Sequence, residues 1–334
     1  MLEAHVFSIP MTTRFRGITT RDGVLLRGPA GWAEVSPFWD YDAAESANWL
    51  RAGLDSALNG FPTAVRDSIP VNVTVPAVDA ETAYRIVATS GCRTAKVKVA
   101  EPGQALSDDV ARVEAVRAAM AAGPGGADAK VRIDVNGKWD VETALASIPV
   151  LDRAAGGLEY VEQPCASVEE LALVRRSVDV PIAADESIRR AQDPYRVAQA
   201  EAADVVVLKV QPIGGVRATL DLAERIGLPV VVSSALESSV GIRIGLALAA
   251  ALPELDFACG LATVRLLTDD VTAAPLLPVD GAIPVRDVAP DNLGAVTADA
   301  DTRARWMRRL EEMWAHVNSP DLPEFGDLTW GDAK

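Results

Sequence analysis

Chemistry first becomes possible at two lysines set two residues apart in an apolar run, Thr94-Ala95-Lys96-Val97-Lys98-Val99. Residues i and i+2 of a strand share a face, so Val97 and Val99 point one way and Lys96 and Lys98 the other. Two like charges on one face of a buried strand make sense where that face looks into a polar cavity. Repulsion and partial desolvation there lower a lysine pKa, and such an amine can act as a base near neutral pH. An edge strand with solvated lysines has the same local pattern.

Charged residues recur at the ends of the following apolar runs. Val131-Arg132-Ile133-Asp134-Val135-Asn136 puts Arg132, Asp134 and Asn136 on one face. Later runs end Tyr160-Val161-Glu162-Gln163, Ala184-Asp185-Glu186, Leu208-Lys209 and Ser233-Ser234-Ala235-Leu236-Glu237. Singly, each reads equally as the start of a solvated loop. Together, Asp134, Glu162 and Asp185 fall on three successive strands, and in a barrel the C-terminal strand ends converge on one pocket. Three clustered carboxylates repel unless a cation joins them, and an all-oxygen set selects a hard ion such as Mg²⁺. Lys98 and Lys209 would then face each other across that ion. This arrangement suits removal of a proton next to a carboxylate, with the charge that develops stabilised electrostatically. The only two histidines, His5 and His316, lie near the chain ends, which leaves acid–base work to lysines and carboxylates.

The elements that must position these groups follow a rhythm. From residue 69 onward, strand-length apolar runs (71–75, 94–99, 131–135, 158–162, 182–185, 205–210, 230–234 and 255–258) alternate with helix-length segments (79–90, 108–122, 141–151, 168–176, 194–200, 216–226 and 241–251). Nearly continuous apolar strands predict a parallel sheet covered by helices. Eight such strands predict a closed β/α barrel rather than an open sheet, and no glycine-rich phosphate turn follows the first of them. Residues 1–68 read as a separate α+β piece. It has short strands at 4–10 and 24–27, a loop over 12–20, and a helix over 42–59 with Trp49, Leu50, Leu54 and Leu58 on one side. After the barrel span 69–267, residues 268–334 break the rhythm with prolines. They carry one late amphipathic helix over 303–317, with Pro320 and Pro323 in a tail, and are expected to return to the N-terminal piece.

Bulk properties narrow the partners. The 334-residue chain has a formal net charge of −15 and 49% hydrophobic residues. Its mean hydropathy is +0.14. That balance describes a well-packed soluble protein and argues against nucleic acid or an anionic membrane as partner, but not against a small carboxylate substrate. Cys92, Cys165 and Cys259 lack metal-type spacing and read as reduced core residues. The opening Met1-Leu2-Glu3-Ala4-His5 does not read as a secretory leader, so the cytoplasm is the expected compartment. Oligomeric state is not legible.

On the Lys-x-Lys strand, the three carboxylates on consecutive strands and the strand-six lysine, the chain resembles the muconate-lactonising-type subgroup of the enolase superfamily. The resemblance covers almost the whole chain. It implies an α/β fold, a modified TIM barrel of (β/α)7β form, with an α+β capping domain completed by the C-terminus. It implies Asp134, Glu162 and Asp185 as Mg²⁺ ligands, with Mn²⁺ a possible substitute, and Lys98 and Lys209 as the catalytic pair. Lys96, Arg132, Asn136 and Glu186 would stand behind the ligands. The loop Arg14-Phe15-Arg16-Gly17 resembles the subgroup's capping loop and makes Arg16 a substrate contact; an exposed basic turn is the other reading.

The runs Arg132–Asn136, Ser233–Gly241 and Gly260-Leu261-Ala262-Thr263 resemble one branch of that subgroup, and this resemblance implies dehydration of a cyclohexadiene carboxylate bearing a succinyl arm. Ser234 and the Gly260 backbone would hold that arm. Ser238 or Ser239 could instead simply cap the helix that follows. Gln163 departs from the pattern, since many relatives carry a second Glu there. The rivals are racemisation of N-succinylamino acids by the same two lysines and a barrel that only binds a carboxylate.

Overall fold

The computed structural model describes residues 2–190, 193–317 and 322–331. Three strands open the chain: β1 (Leu2–Phe15), β2 (Ile18–Gly28) and β3 (Gly31–Val35). Strands β1 and β2 form one long antiparallel hairpin whose register shifts between Pro10 and Phe15. The loop expected over 12–20 is therefore strand on both sides of a two-residue turn, Arg16-Gly17. Its Arg/Gly/Thr-rich composition suits a turn, but cross-strand pairing satisfies the backbone almost to the tip. The helix Ala43–Asn59 starts at Asp42, whose carboxylate accepts from the Glu45 amide, and it buries Trp49, Leu50 and Leu54 against the sheet.

The barrel is a curled, seven-stranded parallel sheet. The short β4 (Ser68–Pro70) precedes it and pairs with a strand from the C-terminal segment. The barrel strands are β5 (Val73–Val75), β6 (Thr94–Lys98), β7 (Lys130–Asp134), β8 (Leu158–Glu162), β9 (Ile182–Ala184), β10 (Val205–Leu208) and β11 (Val230–Val232), adjacent in chain order. The eighth stave is two residues long and lies just beyond the apolar run 255–258. Cys259 bridges Val71 and Gly260 bridges Ser233, which joins the two sheet edges. Asp79, Asp140 and Ser167 start the covering helices with side-chain caps. The short helix Arg196–Gln199 replaces the longer one expected over 194–200.

The C-terminal segment returns to the first. Strand β12 (Ala282–Pro284) is antiparallel to β4, and β13 (Leu328–Trp330) is parallel to β1, so the expected tail ends in the first sheet; Pro320 falls outside the described residues. The helix Ala300–Trp314 packs its buried Trp306, Leu310 and Met313 against the helix Ala43–Asn59 and β1. The cap made of both chain ends sits on the barrel through Glu34 of β3, which meets the N-terminus of the barrel helix Ser239–Ala251. The cysteines are free and buried. Among the described residues no helix is long and apolar enough to cross a membrane.

This docking has a pH signature. Burial, with the Glu237 carboxylate adding to it and Arg21 opposing it, pushes the Glu34 carboxyl up to about 7. A carboxyl whose folded pKa exceeds its unfolded value costs stability as pH rises between the two. Glu34→Gln keeps the shape and removes that cost. Its Tm is expected to gain on the wild type as pH climbs from 5 to 8, by the equivalent of about 3 kcal/mol at most. Equal Tm differences at both pH values in thermal melts would refute this.

Candidate active site

Strand β6 sends its valines into the helix layer and both lysines into the barrel. The Lys96 Nζ donates to both oxygens of Glu162, at 2.8 and 3.0 Å, and lies 3.3 Å from Asp134 Oδ2. The Lys98 Nζ donates to Asp134 Oδ2 at 2.5 Å and to Asn136 Oδ1 at 2.6 Å. Lys209, at the end of β10, donates to Asp185. Lys96, Lys98, Lys209, Asp134, Glu162 and Asp185 thus meet in one buried cluster at the C-terminal strand ends.

The electrostatics divide the lysines differently from expectation. Burial disfavours the charge on Lys96, but Glu162 and Asp134 outweigh it and hold its pKa well above the ordinary lysine value. Charge repulsion between paired lysines therefore does not neutralise Lys96. The lowered lysine is Lys209, where burial outweighs the pull of Asp185, and Arg189 adds to the effect. Despite burial, Asp134 is held far down by Lys98 and Lys96, and Asp185 is brought to about 2 by Lys209 and Arg189. Glu162 goes the other way, to about 7, because burial and the Asp134 charge outweigh Lys96.

Asn136 occupies the left-handed region at φ 53°, and its Nδ2 donates to Glu186 Oε1 at 3.2 Å. Glu186 Oε2 is buried and has no hydrogen-bond partner among the described residues. Arg132 is not brought to the carboxylates. It shares their face but lies deeper in the barrel, where its Nε donates to Glu159 at 2.5 Å and its Nη1 to the Ala258 carbonyl at 2.8 Å.

Two residues that sequence reasoning passed over, Arg189 and Tyr41, and two that it named without a role, Phe15 and Gln163, complete the site. Arg189 donates to Asp185 Oδ1 at 3.0 Å and Glu186 Oε1 at 2.6 Å; its spacing of four from Asp185 on a helical turn was the available signal. The Tyr41 hydroxyl accepts from Arg189 at 2.5 Å and from Arg16 at 2.8 Å, which ties the hairpin tip to the barrel. Phe15, also at the tip, sets its ring centroid 5.6 Å from the Lys98 Nζ. Gln163 accepts from the amides of Asp185 and Ser187 at 2.9 and 3.2 Å and donates to the Cys165 carbonyl and the Ser187 hydroxyl. A carboxylate could accept those two bonds but not donate the other two, so the amide fits this position.

The serine-rich stretch lies beside this cluster. The Ser234 amide donates to the Gly260 carbonyl at 3.0 Å, and the Ser234 hydroxyl is 2.7 Å from that of Thr263. A Cβ on Gly260 would lie 2.6 Å from Ser233 Oγ. Gly260→Ala is therefore expected to cost about 1–3 kcal/mol through overpacking. A thermal melt checks this, and an unchanged Tm would show that the seam between the sheet edges yields.

Among the described residues, no three carboxylate, imidazole or thiol groups already converge as a metal cage. Lysine ammoniums share the carboxylate oxygens instead. The donor set still suits a divalent metal. It is all oxygen, it is almost wholly buried, and Glu162 is raised to about 7 by burial and by the neighbouring Asp134 charge.

Residues 6–57 match the enolase N-terminal domain-like family and residues 79–295 the enolase C-terminal domain-like family. An o-succinylbenzoate synthase of Thermobifida fusca is 63% identical, over 92% of this chain and 95% of its own length. One from Mycolicibacterium smegmatis is 54% identical, over 92% and 93%. Among solved structures, muconate lactonizing enzyme from Pseudomonas fluorescens aligns with a TM-score of 0.71 at 25% identity, covering 92% of this chain and 98% of that one. The Bacillus subtilis L-Ala-D/L-Glu epimerase aligns with a TM-score of 0.72 at 22% identity, over 85% and 95%, and shows the fold alone.

Proposed function

We propose, from the premise that this chain belongs to the enolase superfamily and to its o-succinylbenzoate synthase family, that Lys98 and Lys209 are the groups that carry out its dehydration. The chain is a lyase. The substrate is 2-succinyl-6-hydroxy-2,4-cyclohexadiene-1-carboxylate and the product 2-succinylbenzoate, in menaquinone biosynthesis. The single observation that carries the residue assignment is Lys98, held between Asp134 and Asn136 beneath Phe15, with Lys209 anchored on Asp185 across the same cluster.

Lys98 takes the proton α to the ring carboxylate. The enediolate that results is stabilised by the Lys209 ammonium on the far side. Lys98, now protonated, gives its proton to the departing hydroxyl on the face it attacked; water leaves and the ring becomes aromatic. Asp134, Glu162 and Asp185 would hold the divalent metal, which we take to be Mg²⁺, with Mn²⁺ able to replace it. When bound, the ion polarises the substrate carboxylate and makes the α-proton more acidic.

Lys96 keeps Glu162 in place, while Asn136 and Arg189 orient Asp134, Asp185 and Glu186. The hairpin tip with Phe15 and Arg16 covers the pocket and excludes water. Ser234 and the Gly260 backbone hold the succinyl arm. The cap, in this reading, comprises residues 1–68 and 268–334 around the barrel 69–267. The barrel's small-carboxylate site and three free buried cysteines support a cytoplasmic enzyme.

Proton NMR of substrate incubated with protein and Mg²⁺ tests the reading. The expected result is the appearance of aromatic-ring protons of 2-succinylbenzoate. Their absence, with deuterium entering the α-carbon of N-succinylamino acids in D₂O, would transfer the assignment to racemisation.

A further inference from the structure

The loop that carries Ser233 and Ser234 is fixed by side chains of the cap. Glu34 of β3 is wholly buried, and its Oε2 accepts from the Ser238 amide at 3.0 Å, the Ser238 hydroxyl at 2.5 Å and the Gly241 amide at 3.2 Å. Its other oxygen accepts from the Ser36 hydroxyl at 2.6 Å. Ser238 holds the N-cap position of the helix Ser239–Ala251 but makes no side-chain cap of its own, so the carboxylate of another domain takes that task. Asp270 does the same for the Ser239 amide at 3.1 Å.

Arg21 of β2 completes the grip. Its Nε donates to the Leu236 carbonyl at 2.9 Å and its Nη2 to the Ala235 carbonyl at 3.2 Å. Leu236 sits at φ 64°, a backbone conformation a branched side chain rarely adopts unless its surroundings impose it. Gln211 links the cap's Ser36 amide to Glu237, whose second oxygen accepts from the Ala235 amide at 2.6 Å. Gly241 leaves the room this needs, since a Cβ there would lie 2.9 Å from Glu34 Cδ and would also clash with Glu237.

We propose that Glu34 and Arg21 are positioning residues for the substrate's succinyl arm: from the cap they hold residues 233–238 in the strained form that presents Ser234 and frames Gly260. The proposal rests on the reading that Ser234 and Gly260 hold that arm. It makes the cap, through two side chains that touch no substrate, a determinant of affinity while the lysine chemistry in the barrel is left intact. Ion pairing alone does not explain the arrangement, because Arg21 spends its donors on carbonyls of the loop and on Ser36 rather than on Glu34.

The test compares wild type, Glu34→Gln and Glu34→Ala in steady-state dehydration and in amide hydrogen exchange. Loss of the bonds to Ser238 and Gly241 in Glu34→Ala is expected to raise KM about tenfold with kcat changed less than about threefold. Glu34→Gln keeps an acceptor in place and is expected to hold KM within about twofold. Amides of 235–241 should exchange faster in Glu34→Ala, while those of Thr94–Lys98 keep wild-type protection. A fall in kcat at unchanged KM, a glutamine variant as damaged as the alanine variant, or unchanged exchange over 235–241 would each overturn the proposal. If wild type makes no 2-succinylbenzoate, the functional reading fails on its own, and the exchange data alone decide whether Glu34 holds the loop. Should Glu34→Ala not fold, Ser238→Ala removes one of the three donors to Glu34 Oε2. It is expected to raise KM about threefold, and unchanged KM and exchange in that variant would overturn the proposal equally.

Discussion

Lys98→Ala is expected to lower kcat for dehydration by about a thousandfold or more, since it removes the group we propose both to take the α-proton and to return it to the leaving hydroxyl. The loss exceeds that of a simple contact because one side chain serves two consecutive steps. KM should move little, for substrate binding rests on other residues. Folding should survive: Lys98 is partly exposed, and Asp134 keeps Lys96 at 3.3 Å after the substitution. Lys98→Arg retains the positive charge but not a titratable amine, and it should be as inactive as alanine. Initial rates of product formation check both variants. A loss below about tenfold in Lys98→Ala would assign the base elsewhere, since even a modest general base contributes more.

Removing the divalent metal is expected to abolish turnover, and Glu162→Gln is expected to make that loss permanent. The three carboxylates lie together out of water, and burial with the Asp134 charge raises Glu162. A divalent ion that binds the folded chain alone also stabilises it, by about 2.7 kcal/mol at a hundredfold excess over its Kd. Wild-type Tm should therefore rise with added Mg²⁺ and fall with chelator, in step with activity. In Glu162→Gln the Tm should not respond, because one ligand charge is gone and Lys96 has lost its closest ionised partner. A Glu162→Gln protein that still gains both Tm and activity with Mg²⁺ would remove Glu162 from the ligand set.

Most of the site was legible because strand periodicity is strict. The two-residue spacing placed Lys96 and Lys98 on one face, and successive strand ends brought Asp134, Glu162 and Asp185 together. Periodicity assigns a face but not a depth, which is why Arg132 was grouped with Asp134 although it turns to Glu159 in the barrel floor. The eighth stave was misplaced by a few residues. Its apolar run ends at Ala258, but closure of the sheet uses the small Cys259 and Gly260, where Gly260 alone leaves room for Ser233.

The hairpin tip was misread for a related reason. Arg, Gly and Thr are common in loops, and only the cross-strand pairing of β1 with β2 around the two-residue turn shows that these residues extend the sheet toward the pocket. Tyr41 and the Glu34 latch depend on contacts between cap and barrel, and no local pattern carries information of that kind, whereas Arg189 had a local signal in its spacing of four from Asp185. Lys209 shows the limit in electrostatics: its lowered pKa comes from burial, which the chain order of residues does not record.

The most direct test of the central claim is a single-turnover measurement with substrate deuterated at the carbon α to the ring carboxylate, run beside the protium substrate with Mg²⁺-loaded wild type. Proton removal by Lys98 predicts a slower formation of the aromatic product from the deuterated substrate, and for Lys98→Ala no product on the same timescale. Equal rates for the two isotopic substrates in wild type, or full turnover without Lys98, would contradict the account.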